Sequence, residues 1–147
     1  MTKVDLHIPR PPDRVFEVLA DGWSYAGWVV GATHIRDVDG GWPGVGTRIR
    51  HSVGAWPLQI EDETVVRAVE VGRSLELDAR LWPVGSAWIR LDLAPAADGG
   101  TTVTMREKIV SGPGSVLPEA AQAFFLVPRN REALKRLADL VVRGDHP

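Results

Sequence analysis

The chain contains no cysteine. That removes disulfides, thiolate nucleophiles and cysteine-based zinc sites together, and it fits a reducing compartment. Lysine is nearly absent too: of the 17 basic residues, only Lys3, Lys108 and Lys135 are lysines. Acidic residues number 19, so the formal net charge is −2. A nucleic-acid partner normally demands a clustered basic excess. No stripe of Arg and Lys interleaved with stacking aromatics occurs, so no such partner is expected. No apolar run approaches the ~20 residues of a membrane span, and the opening "MTKVDLHIPRPPDR" holds no apolar signal-peptide core. The expectation is a soluble, cytoplasmic protein. The histidines at 7, 34, 51 and 146 lack the spacing of zinc ligands. The glycine-rich "GGWPGVG" (40–46) lies between two strand candidates with no helix behind it, which excludes a phosphate loop. No serine sits in the strand–turn–helix frame of a hydrolase nucleophile. Neither metal nor cofactor is expected.

What is present suits one domain over residues 1–147, with 44% apolar residues. "KVDLHI" (3–8) alternates as a half-buried strand. Pro12 opens a helix over 13–21, with Val15, Phe16, Val18 and Leu19 on one face, and Gly22 stops it. "GWSYAGWVVG" (22–31) then packs three aromatics into a short second helix. Strand candidates follow at 33–39, 47–56, 58–70, 74–82, 86–95 and 101–111, each with one apolar face and short breaks between them. That is the signature of an antiparallel meander. Residues 119–143 read as one long helix with Leu134, Leu137, Ala138 and Val141 in its stripe, and Pro128 inside it should kink it or delay its regular part. The fold class is α+β. A curled sheet of six to seven strands wraps the C-terminal helix, with two short helices after strand 1. A twisted sheet around a single helix leaves a cavity unless large side chains fill it.

The order of these elements, with "RPPDRVFEVLADGWSYAGWVVGATHIRDVD", "GVGTRI" (44–49) and "RNREALKRLA" (129–138), resembles the SRPBCC superfamily of START-like, helix-grip proteins. Within it the chain looks like the polyketide cyclase/dehydrase-type branch. The resemblance implies a sheet gripping the helix around an apolar tunnel. It also implies binding of lipids, sterols, polyketides or similar molecules, with cyclisation or dehydration in some members.

Strand parity supplies candidate site residues. If Ile49 faces the helix, so does His51; if Val103 and Met105 do, so does Glu107; Asp62 follows Ile60 inward. On the helix, Asn130 lies four before Leu134. His51, Glu107 and Asn130 are expected to meet as a polar group inside an apolar cavity. As catalysts, Glu107 and His51 would act as an acid/base pair. As ligand contacts, the expectation names Trp28, Trp56, Asp62, Trp82, Met105 and Asn130. "AWPL" (55–58), "LWPVG" (81–85) and "SGPGSVLP" (111–118) fall at one end and mark the entrance. Trp28 is expected inward as a wall and Trp23 as a cap on the helix junction. Trp42-Pro43, at the opposite end, is structural. Arg129, Arg131, Lys135, Arg136 and Arg143, interleaved with Glu132 and Asp139, read as a solvated helix face. Three functions stay open: a carrier for an apolar or aromatic small molecule, a cyclase- or dehydratase-type enzyme, and a protein-binding adaptor with an exposed Trp-lined patch. The partner is then an apolar small molecule, and a homodimer is left open.

Overall fold

The computed structural model describes residues 1–30, 32–53, 60–81 and 85–144. Strand β1 (Thr2–Ile8) leads into α1 (Pro12–Ala20), a 3-10 turn (Gly22–Ser24) and the four-residue α2 (Tyr25–Trp28). Six strands follow: β2 (Ala32–Val38), β3 (Arg48–Val53), β4 (Ile60–Glu70), β5 (Ser74–Leu81), β6 (Gly85–Pro95) and β7 (Thr101–Ser111). A second 3-10 turn (Pro113–Val116) leads to α3 (Glu119–Arg143).

All strand pairs are antiparallel, in the order β1-β7-β6-β5-β4-β3-β2. The expected meander therefore forms, and β1 joins its far end against β7. Alternation does the rest. Ala87, Ile89, Leu91 and Leu93 are buried while their neighbours are half exposed, and Val103, Met105, Glu107 and Ile109 repeat the pattern. Register shifts between Val66 and Ala68 and between Ser86 and Ala87 mark bulges, which sharpen the twist that curls a sheet.

Helix α1 begins with Pro12 in its first turn, where a missing N–H costs nothing. It buries Val15, Phe16 and Leu19 and ends at Ala20, before Gly22. Asp21 then accepts a hydrogen bond from Trp23 N at 3.2 Å, opening the next turn. Helix α3 runs through Pro128 without a break, over the expected residues. Leu126, Ala133, Leu134, Leu137 and Val141 press its stripe onto the sheet. Trp42 donates from Nε1 to Leu19 O at 3.1 Å, which ties its loop to α1 in the structural role expected of it. Trp23 does not cap the helix junction as expected: it is 59% exposed.

Candidate functional site

The inner face of the sheet carries two buried polar groups. The first is on β3 and β4. His51 is 3% exposed and stands opposite Asp62 in the strand register. Thr64, two residues along β4, is fully buried. Its Oγ1 lies 3.0 Å from His51 Nε2 and 2.8 Å from Tyr25 Oη, so one hydroxyl joins imidazole and phenol. The Tyr25 ring also stacks on His51, with centroids 5.5 Å apart at 29°, and meets Trp28 edge-on at 5.5 Å and 69°. Burial pushes the Tyr25 phenol up to about 12. Burial also lowers His51 below its usual value, against the opposing pull of Asp62. Both rings are therefore neutral near pH 7.

The second group joins β7 to α3. Glu107 is 0% exposed. Arg129 Nη1 lies 3.4 and 3.5 Å from its two carboxylate oxygens. The same guanidinium donates from Nε and Nη2 to Val30 O at 3.2 and 3.0 Å. Burial raises the Glu107 carboxyl above the ordinary range, while Arg129 and then the neighbouring Asn130 amide pull it back. Asn130 is itself fully buried, and neither of its amide atoms reaches a partner with good hydrogen-bond geometry among the described residues.

Between the two groups lies an internal cavity. Tyr25, Trp28, Val29 and Val30 wall one side, Ile89 and Met105 the sheet side, and Arg129, Asn130 and Ala133 the helix side. It measures about 10 Å³, room for about one water molecule. Larger depressions of about 480 and 610 Å³ lie elsewhere. They are bordered by paired surface charges such as Arg67 with Asp78 and Arg90 with Asp92, and neither touches the buried groups.

Several expectations change here. The roomy hollow is nearly filled, because Tyr25 and Trp28 project from the short helix α2 into it. His51 does not meet Glu107 and Asn130: β3 and β7 stand four places apart in the sheet, and Tyr25 and Thr64 sit on the His51 side. Trp28, Met105 and Asn130 do line the cavity. Asp62 does not; its side chain is 6% exposed, with Oδ1 accepting from Glu63 N at 3.0 Å and 3.8 Å from Arg80 Nε. Trp56 and Trp82, and most of the expected entrance, lie outside the described residues. Arg129 is not on a solvated face but turned inward, its side chain 16% exposed. Arg129, Tyr25 and Thr64 were missed as site residues. A signal existed: Arg129 directly precedes the inward Asn130, and Thr64 shares parity with Asp62. Among the described residues no group of three or more His, Asp or Glu is placed to hold a metal.

A seven-stranded antiparallel sheet gripping one long helix, with buried polar groups at an apolar internal cavity, defines a helix-grip protein. The family model described as "Polyketide cyclase / dehydrase and lipid transport" matches residues 1–142, so the chain belongs to that family. No curated protein matches it. Among solved structures it is similar to Ara h 8.0201 (16% identity, 96% of each chain covered, TM-score 0.72). It is also similar to protein NE0264 from Nitrosomonas europaea (14% identity, 97% of this chain and 94% of that one, TM-score 0.73). A third similar structure is the di-domain ARO/CYC BexL from the BE-7585A biosynthetic pathway (17% identity, 93% of this chain and 48% of that one, TM-score 0.66). These likenesses show the fold. No helix among the described residues is long and apolar enough to cross a membrane.

Proposed function

We propose that the chain binds a hydrophobic, aromatic-bearing small molecule between the sheet and α3. Asn130 carries this reading. Its amide is fully buried and beside Glu107, yet neither amide atom makes a well-formed hydrogen bond among the described residues, and it faces a cavity walled, apart from Arg129, by rings and aliphatic side chains. An unmet buried polar group costs about 1–3 kcal/mol. A few polar groups converging in an apolar pocket orient a bound molecule. A ligand larger than one water must displace side chains. Met105 is unbranched and adaptable, while Val29 and Val30 are the half-buried part of the wall.

Asn130→Leu tests the reading. It removes a poorly met amide at near-constant volume, and the relief outweighs the weak contact with Glu107 that goes with it, so stability in urea should rise by about 1 kcal/mol. Native mass spectrometry of freshly expressed protein should find a co-purified small molecule in the wild type and lose it in the variant. A variant that is destabilised, or that keeps the same adduct, sinks the role of Asn130.

A second reading is the cyclase- or dehydratase-type enzyme. It is supported by two titratable groups on the inner face whose values burial moves in opposite directions, the Glu107 carboxyl upward and the His51 imidazole downward. Glu107→Gln should then abolish turnover of a poly-β-ketone while a co-purified ligand is retained. The adaptor reading has less support: the cluster of exposed tryptophans it needs is not found among the described residues, where Trp23 stands exposed without a ring partner.

A further inference from the structure

The start of α3 presents apolar surface that the internal cavity does not use. Phe124 is 87% exposed and Phe125 50%. The turn before the helix adds Val116 at 83% and Leu117 at 45%. Nothing among the described residues covers them. Monomeric proteins seldom leave such a concentration of large apolar side chains without a use.

Helical spacing extends the patch in a definite way. Residues four, seven and eleven apart share one side of a helix, so Phe124, Pro128, Arg131 and Lys135 form a single exposed line. At 1.5 Å per residue, the two cations lie about 10 and 16 Å along the axis from Phe124. Neither has an ion-pair partner among the described residues, whereas Glu119 is matched to the amino terminus and Glu132 to Arg136, and the unmatched Asp139 lies a turn beyond Lys135, away from the apolar end. The apolar end thus carries a local positive charge on a chain whose formal net charge is −2.

We infer that this end of α3 docks on an anionic lipid surface. Phe124, Phe125, Val116 and Leu117 enter the boundary of the acyl region, and Arg131 and Lys135 meet lipid phosphates. With the start of the helix entering first, the axial offset of about 10 Å keeps Arg131 at the level of the lipid headgroups. A second copy of the chain fits less well, because self-pairing of this line brings like charges together. An extended peptide fits less well too, because neither large surface depression borders the patch. The inference does not rest on the small-molecule reading.

Flotation with lipid vesicles tests it, on the full chain. The protein should float with phosphatidylcholine vesicles containing phosphatidylserine and stay behind with phosphatidylcholine alone. Phe124→Asp with Phe125→Asp should abolish flotation without loss of helical circular dichroism, since both side chains are exposed. Arg131→Gln with Lys135→Gln should weaken it about 30-fold, from about 1 kcal/mol per cation at an anionic surface. Added salt should weaken it further. Absence of flotation with phosphatidylserine overturns the inference, and so does flotation that survives Phe124→Asp with Phe125→Asp. Sedimentation showing a dimer that Phe124→Asp with Phe125→Asp dissociates also overturns it, by giving the face to a second copy.

Discussion

The buried hydroxyl of Thr64 bears more than its size suggests, because two rings depend on it. Thr64→Val leaves both Tyr25 Oη and His51 Nε2 without the partner they have at 2.8 and 3.0 Å. Each orphaned group costs about 1–3 kcal/mol, so the variant should lose about 2–6 kcal/mol in urea melts. Tyr25→Phe removes one partner and orphans less, and should lose about 1 kcal/mol. Equal losses would mean that the hydroxyl does not join the two. Protonation sets a second test at the same scale. The folded chain holds Glu107 above its ordinary value of 4.5, so it binds more protons than the unfolded chain just above that pH. This contribution is complete below 4.5 and is lost as pH rises through the higher folded value. His51 acts in reverse: its value is lowered from 6.5, so its contribution is present above 6.5 and lost as pH falls through the lower folded value. Glu107→Gln should therefore gain stability relative to wild type as melts move from about pH 4 to about pH 7. His51→Gln should lessen the loss of stability on the acid side. A pH-independent difference for Glu107→Gln would place its carboxyl at an ordinary value.

Each element exposes a different limit of what its sequence discloses. The strands were legible because burial follows alternation, and parity alone put His51 and Glu107 inside. Helix α3 was legible in extent but not in orientation. A 3.6-residue period leaves the edges of the stripe ambiguous, and Arg129 sits on such an edge, where Val30 O and Glu107 draw it inward. The same helix carries two stripes, one packed and one bare. Leu137 is fully buried, so Leu137→Ala should cost about 2–5 kcal/mol. Phe124→Ala should stay within about 0.5 kcal/mol, as at an exposed site. A large loss at Phe124 in denaturant melts would mean that something in the chain covers it. Gly85, at the start of β6, poses a backbone limit that no pattern revealed. Its φ is +134°, and a Cβ there would stand 1.7 Å from Ser111 O. Gly85→Ala should cost about 3 kcal/mol or more, whereas Gly46→Ala, at a φ of +85° and with open space around it, should cost about 1 kcal/mol.

At the scale of the whole molecule, the cavity was the least legible feature. Volume depends on how Tyr25 and Trp28 from one edge connection meet α3 and the sheet across the chain, and local spacing says nothing about that sum. The filled interior makes access a question of movement. Val29 and Val30 wall the cavity at its half-buried side, and Val30 O is fastened to α3 through Arg129, which reaches Glu107 on β7 with the same guanidinium. One side chain thus couples the α2–β2 connection, the long helix and the sheet. Removing it should loosen the connection and leave the sheet, held by its own ladder, nearly unchanged. In Arg129→Gln, hydrogen exchange should accelerate at the Val29 amide, which donates to Tyr25 O at 2.9 Å. Amides of Leu77 and Ile89, in the sheet centre, should keep their protection, because local opening is governed by local contacts. A uniform rise across both regions would mean that Arg129 supports global stability rather than the wall of the cavity. A selective rise identifies the α2–α3 seam as the part of the molecule that must yield when a ligand enters.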